Sequence, residues 1–358
     1  MKVRNLQRTH GLGATTILAT TLLAAGTAFA GEHERSTLIL TSTNDPAGNA
    51  VIVFKLNDGG TTSLSYLDSI TTGGKGGAST NAGILQFRRD RGAVANYGSN
   101  SVTELVREED FVRLGGTIKQ AAGCGKPASV ALTNDHLFVV GANCAESHAW
   151  PGGGIEGAVV ALADPSAAQI AVGNSWSAVT LSSGSVLQLP LTSAGVLSGA
   201  VTPISLPPSA SSVPLGEAFW HDTLGFTPAH SPDSFAIVDK DRTVHPVTGP
   251  TPPYPTNAPC WVAKGAGNIW YTGNSPGHAI SIFFSDGQGG VFYKSTPLPG
   301  APSDVSVSHD GKWLAVIYSE SNDAHVAVFS IDDYGDLTAA ATSGSVGVSA
   351  FSGVAFSQ

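Results

Sequence analysis

The chain has 358 residues, of which 42% are hydrophobic and 13% are charged, with 43 glycines and 21 prolines. The charged fraction is well below the roughly 25% usual for soluble domains, and the many glycines and prolines favour short strands joined by tight turns over long helices. The formal net charge of −9 argues against a nucleic-acid partner, because phosphate binding needs a clustered positive surface. Only Arg88-Arg89-Asp90-Arg91 comes close to such a cluster.

Residues 1–30 have the three parts of a secretory signal peptide. They are a positive segment (Lys2, Arg4, Arg8), an apolar run (Ala14 to Ala25) and a small-x-small cleavage site (Ala28-Phe29-Ala30). The alternative is a membrane anchor, but the apolar run is shorter than the roughly 20 residues that span a bilayer. We expect a secreted or periplasmic protein whose mature part, residues 31–358, is one domain without a membrane span. Removing three of the 18 basic residues and none of the 27 acidic ones leaves that part with a net charge of −12.

The mature sequence repeats one unit of short alternating strands and turns. The clearest copy is Ala301 to Leu337, in which His309-Asp310-Gly311-Lys312 supplies the turn of a hairpin. A polar residue closes the second strand of each copy: Asn44, Asn96, Asn143, Asp239, Asn274 and Glu320. Most of these are about 50 positions apart, and the double step from Asn143 to Asp239 leaves room for one more copy. Seven units predict an all-β fold, a seven-bladed β-propeller.

The first three blades can be placed in chain order. Ser36 to Thr72 predicts three strands of blade one, Gly83 to Lys119 predicts blade two, and Pro127 to about Ile170 predicts blade three. Within blade three, we expect Glu146 to Ile155 to form a loop that places His148 and Trp150 in solvent.

The pattern weakens from Ala167 to Pro207. Three strands can be placed there, at Trp176 to Ser182, Ser185 to Leu191 and Ala200 to Leu206, so we expect one strand to be absent or irregular. Blade five follows at Glu217 to Val247, blade six starts at Pro259, and blade seven starts at Pro302.

The two ends of the mature chain complement each other. Phe351 to Phe356 has the pattern of an inner strand, whereas the first blade begins with what looks like a second strand, Thr37 to Thr41. Pairing them would close the ring and remove exposed sheet edges.

Three cysteines stand in a chain expected in an oxidising compartment. In a propeller, the loop leading into each inner strand and the loop leaving the second strand lie on the same face. Cys124 precedes Ser129 to Leu132, and Cys144 follows Leu137 to Val140 of the same blade. This predicts a Cys124–Cys144 disulfide and leaves Cys260 as a free thiol. The alternative is that all three are reduced and buried as small hydrophobic residues.

Several stretches, in order, resemble the seven-bladed propeller family of lactonases and 3-carboxymuconate cyclases, which includes 6-phosphogluconolactonase-like proteins. They are AGNAVIVFKLNDGG with TTGGKGG, VANYGSNSV, PASVAL, APCWV with WYTGN, and APSDVSVSHDGKWLAV. The resemblance covers most of the mature chain and implies the propeller fold and the opening or closing of a lactone ring without a metal. The family's sugar-phosphate enzymes carry a Pro-His-x-His segment and several arginines around the channel mouth. Lys126-Pro127-Ala128-Ser129-Val130 stands there instead, which argues against phosphogluconolactone as the substrate.

Ligands of propellers commonly lie over the central channel, on the face where the inner strands begin. We predict a site there built from the residues that lead into those strands. The candidates for catalysis are His221, Asp222, Asp304 and Lys126, and those for substrate binding are Trp176, Trp220, Trp261 and Ser303. His221 or Asp304 would activate water for lactone hydrolysis, and Lys126 would hold a substrate carboxylate during cyclisation. Each has a structural alternative: the polar side chains could bond neighbouring loops, and the tryptophans could pack between blades.

Two functions are consistent with the sequence. The first is a secreted, monomeric lactone-ring hydrolase or cyclase (an isomerase) that acts on a small lactone or carboxylate substrate without a metal or other cofactor. The second is a non-catalytic propeller that binds a glycan, a peptide or a partner protein outside the cytoplasm. The acidic run Asp332, Asp333 and Asp336 is more typical of a solvated turn than of a Ca²⁺ site. Convergence of His221, Asp222 and Asp304 would favour the enzyme, and engagement of their side chains by the backbone would favour binding.

Overall fold

The computed structural model describes residues 35–77, 82–229, 234–248, 258–347 and 351–357. Within these ranges the chain forms seven antiparallel sheets of four strands each, numbered β1 to β28 in chain order, and one short 3-10 helix at Tyr97–Ser99. The prediction of an all-β, seven-bladed propeller is confirmed. The predicted signal peptide lies outside the described residues. In the part of the chain that is described, no helix is long and apolar enough to cross a membrane.

Each sheet is one blade. Blade one contains β1 (Thr37–Ser42), β2 (Ala50–Asn57), β3 (Ser63–Thr71) and β28 (Ser352–Ser357). Blade two contains β4 (Leu85–Arg88), β5 (Arg91–Asn96), β6 (Ser101–Glu108) and β7 (Phe111–Lys119). Blade three contains β8 (Ser129–Leu132), β9 (His136–Val140), β10 (Cys144–Ala149) and β11 (Ile155–Ala161). Blade four contains β12 (Ala167–Val172), β13 (Trp176–Leu181), β14 (Ser185–Pro190) and β15 (Thr202–Ile204).

The remaining three blades follow the same order. Blade five contains β16 (Pro214–Trp220), β17 (Thr223–Pro228), β18 (Ser234–Val238) and β19 (Val244–Thr248). Blade six contains β20 (Pro259–Lys264), β21 (Ile269–Asn274), β22 (Ala279–Phe284) and β23 (Val291–Pro297). Blade seven contains β24 (Ala301–Val307), β25 (Trp313–Glu320), β26 (Asp323–Ile331) and β27 (Leu337–Thr342). The inner strands of neighbouring blades contact one another around the ring and enclose a central channel.

The ring closes as predicted by pairing of the two chain ends. The last strand, β28, is the inner strand of blade one and pairs antiparallel with β1, with Phe356 opposite Ile39 and Val354 opposite Thr41. The N-terminal segment therefore supplies the second, third and fourth strands of a blade whose first strand comes from the C-terminal segment.

Apolar side chains fill the space between neighbouring blades. Successive side chains of a strand point to opposite faces of its sheet, so an inner or middle strand buries residues against both neighbours. Between blades three and four, Phe138 and Val140 pack with Ile170 and Val179, all of them at most 1% exposed. Burying a side chain of this kind contributes about 1.5–3 kcal/mol relative to leaving it exposed, and this packing repeats around the ring.

The stretch from Ala167 to Ile204 is more regular than its sequence indicated. It forms all four strands of blade four, and blade three has its own outer strand, β11. The expectation of an absent or irregular strand is therefore wrong. The inner strand β12 has the sequence AAQIAV, in which small residues and a glutamine hide the apolar pattern, and β15 has only three residues.

The segment from Glu146 to Ile155 is also not a solvent-exposed loop. Cys144–Ala149 is β10, which pairs with β9 on one side and β11 on the other. His148 is 0% exposed and Trp150 is 6% exposed, so placing them in solvent was wrong. Trp150 packs in the core between blades two and three, which accounts for its burial despite the prolines and glycines around it.

Five inner strands share an irregularity near their start. In β12, β16, β20, β24 and β28, pairing with the second strand shifts register there. The residues directly after the shift are Gln169, Glu217, Trp261, Asp304 and Val354, and we call this set the bulge level. A bulge increases local twist and re-aims side chains, so polar residues at this level can contact the neighbouring inner strand.

Candidate functional site

The two ends of the inner strands define two faces of the propeller. The front face is where the inner strands begin, for example at Lys126 before β8 and Gly300 before β24. The back face is where they end, for example at His221 after β16 and Ser308 after β24. An inner strand of six residues spans roughly 20 Å, so side chains at its two ends cannot act on the same small group.

The structure divides the predicted site residues between these faces. Lys126, Trp261, Ser303 and Asp304 lie at or near the starts of inner strands, as expected. The other four do not: Trp176 begins a second strand, Trp220 ends an inner strand, and His221 and Asp222 form the turn after it. The inner strands of blades four and five are β12 and β16, which lie earlier in the sequence than was predicted.

Asp222 and Trp176 together connect blades four and five. The Asp222 carboxylate oxygen Oδ1 accepts hydrogen bonds from the Ser175 main-chain N–H at 2.8 Å and from the Ser175 hydroxyl at 3.0 Å. The Trp176 indole N–H donates to the Asp222 main-chain oxygen at 3.2 Å, and the indole is fully buried. Asp222 and Trp176 therefore join neighbouring blades, which is the structural role that the sequence analysis gave as the alternative to catalysis and substrate binding.

His221 and Trp220 lie on the back face near each other. His221 has a positive φ of 56°, its side chain is exposed, and its ring centroid is 5.5 Å from that of Trp220. No described side chain or backbone group forms a hydrogen bond with the imidazole. Among the described residues, therefore, no acid orients His221 as a base.

On the front side, Trp261 and Ser303 join successive blades. The Trp261 indole N–H donates to the Pro302 carbonyl oxygen at 2.7 Å, and the Ser303 hydroxyl donates to the Phe351 carbonyl oxygen at 3.0 Å. Both residues are at most 5% exposed. Lys126, by contrast, is exposed on the front rim, with its ammonium 5.9 Å from the centre of the Tyr97 ring.

Asp304 is the predicted residue that lines the central channel. Its Oδ1 accepts the main-chain N–H of Val305 at 2.9 Å, and its Oδ2 accepts that of Val354 at 3.3 Å. The carboxyl group is buried, and burial raises the pKa of Asp304 to about 7 in spite of these N–H donors. Asp304 therefore joins blade seven to blade one, and its raised pKa lies near neutral pH.

A cavity of about 250 Å³ occupies the half of the channel nearer the back face, and we call it the axial cavity. Its inner end is formed by three residues of the bulge level, Gln169, Glu217 and Asp304. Its outer end is formed by the half-buried Lys264 and Val307, so the cavity opens on the back face. His221 and Asp222 are not among the residues that line it.

Lys264 is a functional candidate that the sequence analysis missed. Burial lowers the pKa of its ammonium group to about 8. The group donates to the carbonyl oxygens of Gly265 at 2.8 Å and Gly267 at 2.7 Å, and it lies 5.2 Å from ring centres of Trp220 and Trp270. An ammonium has three donors, and the described residues accept two of them, which leaves one N–H for a ligand. The sequence pattern that could have indicated Lys264 is a single lysine directly after the apolar residues of an inner strand.

Gln169 and Glu217 were missed as well. The Gln169 amide bonds the backbone of Glu217 in both directions, accepting from its N–H at 2.8 Å and donating to its carbonyl at 2.9 Å. The Glu217 carboxyl group is buried, and neither of its oxygens has a hydrogen-bond partner among the described residues. Burial raises the pKa of Glu217 well above its usual value, and the main-chain groups of Ala171 and Thr180, which are near the carboxyl group but form no hydrogen bond with it, offset this only in part.

The predicted disulfide is present. Cys124 and Cys144 are bonded, and Cys260 is a free, half-buried thiol. Burial raises the pKa of Cys260 to about 11, so it carries little thiolate at neutral pH. Among the described residues, the group closest to a metal-ligand set is Cys124, Cys144 and Glu146, but both sulfurs are committed to the disulfide.

No protein-family profile matches the chain, and no curated protein resembles it in sequence. Solved structures do resemble the fold. A putative 6-phosphogluconolactonase from Bacteroides uniformis has a TM-score of 0.68 at 13% identity, covering 90% of this chain and 99% of its own. A second one, from Bacteroides fragilis, has a TM-score of 0.65 at 12% identity, covering 91% and 99%. Virginiamycin B lyase from Staphylococcus aureus has a TM-score of 0.54 at 14% identity, covering 79% and 96%.

These similarities agree with the propeller resemblance found in the sequence. At such low identity they concern the fold alone, because one propeller scaffold supports many unrelated activities. The functional argument therefore depends on the axial cavity and its own side chains.

Proposed function

We propose that the axial cavity binds a small lactone, or the hydroxy acid that ring opening releases, and that Asp304 moves the proton in this interconversion. The observation that carries the proposal is the position of Asp304 at the inner end of the cavity with a pKa of about 7. A general acid or base works best when its pKa is close to the working pH.

Lys264 supplies the second group that the reaction needs. On β20, Lys264 comes three residues after Trp261, which is at the same level of the channel as Asp304. At about 3.3 Å per residue, Lys264 is therefore roughly 10 Å from Asp304 along the channel axis. A bound lactone between them would direct its carbonyl oxygen, or the carboxylate formed on ring opening, toward the ammonium. Asp304 would take a proton from the water that attacks the carbonyl carbon and return it to the ring oxygen as the carbon–oxygen bond of the ring breaks. This reaction requires no metal.

We also propose that the protein works outside the cytoplasm. The support is the Cys124–Cys144 disulfide, since such bonds persist in oxidising compartments and are rare in the cytosol. The signal-peptide pattern of residues 1–30 points in the same direction.

A second candidate is binding of the same ligands without turnover. This candidate is favoured by the hydrogen bonds that Asp304 accepts from two main-chain N–H groups. A carboxyl group that joins two inner strands in this way already has a structural role. His221 and Asp222 do not line the cavity, so the convergence with Asp304 that would have favoured the enzyme is not found among the described residues.

One experiment separates these candidates. The full chain, expressed for secretion and purified, would be tested for acid release against a panel of aliphatic, aryl and sugar lactones, and for calorimetric binding of the same lactones and their hydroxy acids. The variants are Asp304→Asn and, as a matched carboxylate outside the cavity, Asp222→Asn. Acid release that Asp304→Asn removes and Asp222→Asn retains supports the enzyme.

Other outcomes decide equally clearly. Binding without acid release favours the second candidate, and neither binding nor acid release across the panel would overturn both. Because Asp304→Asn can also weaken folding, its near-UV circular dichroism has to match that of the unmodified protein before a loss of activity is counted.

A further inference from the structure

A buried pair of side chains lies beside the disulfide in blade three. The two sulfur atoms and one carboxylate oxygen of Glu146 all lie within 4.8 Å of one another. The other member of the pair is His148, whose Nε2 is 3.0 Å from Oε1 of Glu146. Glu146 and His148 are both fully buried. A charged or proton-sharing pair without solvent access is costly unless its polar atoms are all engaged.

The hydrogen bonds show where a proton is held. His148 Nδ1 lies 3.0 Å from the carbonyl oxygen of Gly153, which can only accept, so Nδ1 carries a hydrogen. The contact between Nε2 and Glu146 then requires one further proton, on the imidazole or on the carboxyl group. The remaining Glu146 oxygen accepts the Ala121 main-chain N–H at 3.0 Å. The pair therefore holds one transferable proton between Nε2 and Oε1, in a carboxyl group that has one oxygen within 4.8 Å of both sulfurs.

The two ends of the disulfide differ in access. Cys124 is half-buried in a turn whose neighbours Ala122 and Gly123 are exposed, whereas Cys144 is 3% exposed at the start of β10. A thiolate arriving from solvent reaches Cys124. The sulfur that would leave is that of Cys144, on the same strand as Glu146.

We propose that Cys124 is a site of thiol–disulfide exchange and that the Glu146–His148 pair supplies the proton for the leaving sulfur. A low-molecular-weight thiolate attacks Sγ of Cys124, a new sulfur–sulfur bond forms there, and the Cys124–Cys144 bond breaks. Its electron pair goes to Sγ of Cys144, which takes the proton from Glu146 and becomes a thiol. His148 positions the carboxyl group and is left neutral beside the glutamate anion. Protonating a leaving thiolate favours exchange, since a more stable leaving group departs faster.

The exchange would remove the covalent link between two segments of the front face. The disulfide ties the turn before β8 to the start of β10, and Gly125 in that turn accepts the Ala142 main-chain N–H at 2.9 Å. Once the disulfide is open, the turn before β8 is held only by hydrogen bonds such as the one between Ala142 and Gly125. The proposal is independent of the axial cavity, which opens on the opposite face.

The test uses the full chain with Cys260→Ser, so that the two bonded cysteines are the only ones, and reduced glutathione as the probe at pH 7. After quenching with iodoacetamide, intact mass gives the rate of mixed-disulfide formation and peptide mapping gives its position. We expect glutathione on Cys124 and the alkyl group on Cys144. The proposal would be overturned if glutathione were found mainly on Cys144. It would also be overturned if the folded chain formed no adduct although the same chain unfolded in urea did. This arm needs no change to the buried pair.

The proton transfer is tested with variants on that background. Glu146→Gln should slow adduct formation about tenfold or more, in line with the contribution of general acids, and Glu146→Asp should restore part of the rate because it keeps an acid. The matched control is Glu156→Gln, which removes an exposed carboxylate that lies 3.2 Å from the half-buried His136 in the same blade. Proton transfer in the rate-limiting step slows a reaction in heavy water. The rate of adduct formation should therefore fall more in heavy water for the Glu156→Gln control than for Glu146→Gln or His148→Gln. Equal rates for Glu146→Gln and Glu156→Gln, measured on chains with equal thermal midpoints, would refute the role of the pair.

Discussion

The guanidinium group of Arg107, on the third strand of blade two, donates a hydrogen bond to the main-chain carbonyl oxygen of Ser357, the last residue of β28. It also donates to the carbonyl oxygen of Ser36, just before β1, and to that of Glu109 at 2.7 Å. Arg107 is 3% exposed, and burial lowers its pKa. One side chain of blade two therefore holds both chain segments that close blade one.

Arg107→Ala should destabilise the whole ring. The substitution removes three hydrogen bonds to main-chain carbonyl oxygens, of which the one to Ser357 is buried and the other two are half-buried. A buried polar group that loses its partner costs about 1–3 kcal/mol and half-buried ones cost less, so we expect the free energy of unfolding to fall by about 2–4 kcal/mol. Urea unfolding followed by tryptophan fluorescence measures it. The matched control is Arg113→Ala, which removes an exposed arginine on β7 that pairs with Glu108 and should change stability by less than about 1 kcal/mol. Equal effects of the two variants would contradict this account of ring closure.

Deleting residues 351–358 should have a larger effect. The deletion removes β28 and with it the buried side chains of Phe351, Val354 and Phe356, and it leaves β1 as an unpaired edge. We expect loss of the cooperative thermal transition. Deleting Gln358 alone is the control, and a truncated chain that still unfolds in one transition at the original midpoint would show that the ring does not depend on this strand.

The repeating unit was readable from the sequence because turn residues and alternating strands recur at nearly constant spacing. The closing strand was predicted for the same reason: residues 351–356 have the inner-strand pattern and the first blade lacked one. The errors arose where the pattern depends on small residues. β12 reads AAQIAV, so β13, which begins with the large side chain of Trp176, was taken as an inner strand.

This shift also explains why the candidate site was only partly predicted. Neighbouring strands of a blade run in opposite directions, so a second strand mistaken for an inner strand has its first residues on the opposite face. Trp176, Trp220, His221 and Asp222 were assigned to the wrong face for this reason. Asp304 was placed correctly because blade seven has the clearest pattern. The Lys264 environment depends on Trp220 and Trp270 from two different blades, and no local sequence pattern reports such a contact.

Glu217→Gln should stabilise the protein at neutral and alkaline pH. Because burial raises the pKa of Glu217 well above its usual value of 4.5, the folded state binds this proton more tightly than the unfolded state does. The stability that results is fully present below about pH 4.5 and is lost as pH rises through the pKa of the folded state. Glutamine stays neutral, so its advantage over glutamate should grow with pH. Urea unfolding at pH 5 and pH 8 measures the difference, with Glu156→Gln as the exposed control. A pH-independent difference would contradict the raised pKa of the buried Glu217 carboxyl group.

Lys264→Met should weaken binding of a hydroxy acid in the axial cavity. A hydrogen bond to a charged group contributes about 1.5–3 kcal/mol, so we expect roughly tenfold or greater loss of affinity by calorimetry. In the unmodified protein the affinity should also fall as pH rises above about 8, where Lys264 loses its proton. Lys126→Met on the front face is the control, and a larger loss from that variant would move the site to the front face that the sequence had indicated.

The pH dependence of lactone hydrolysis tests Asp304 directly. Its pKa is raised from 3.8 to about 7, so the carboxylate that can accept a proton from water is a minor form at pH 5 and the major form at pH 8. With Asp304 as the base, kcat/KM should rise with pH and reach half its maximum near pH 7. Asp304→Asn should lower kcat/KM by about 10²–10⁴-fold, the usual contribution of a general base, and remove this rise. Asp222→Asn should keep both the rate and the profile. A rate that is flat between pH 5 and pH 8, or a rise that persists in Asp304→Asn, would assign the proton transfer to another group.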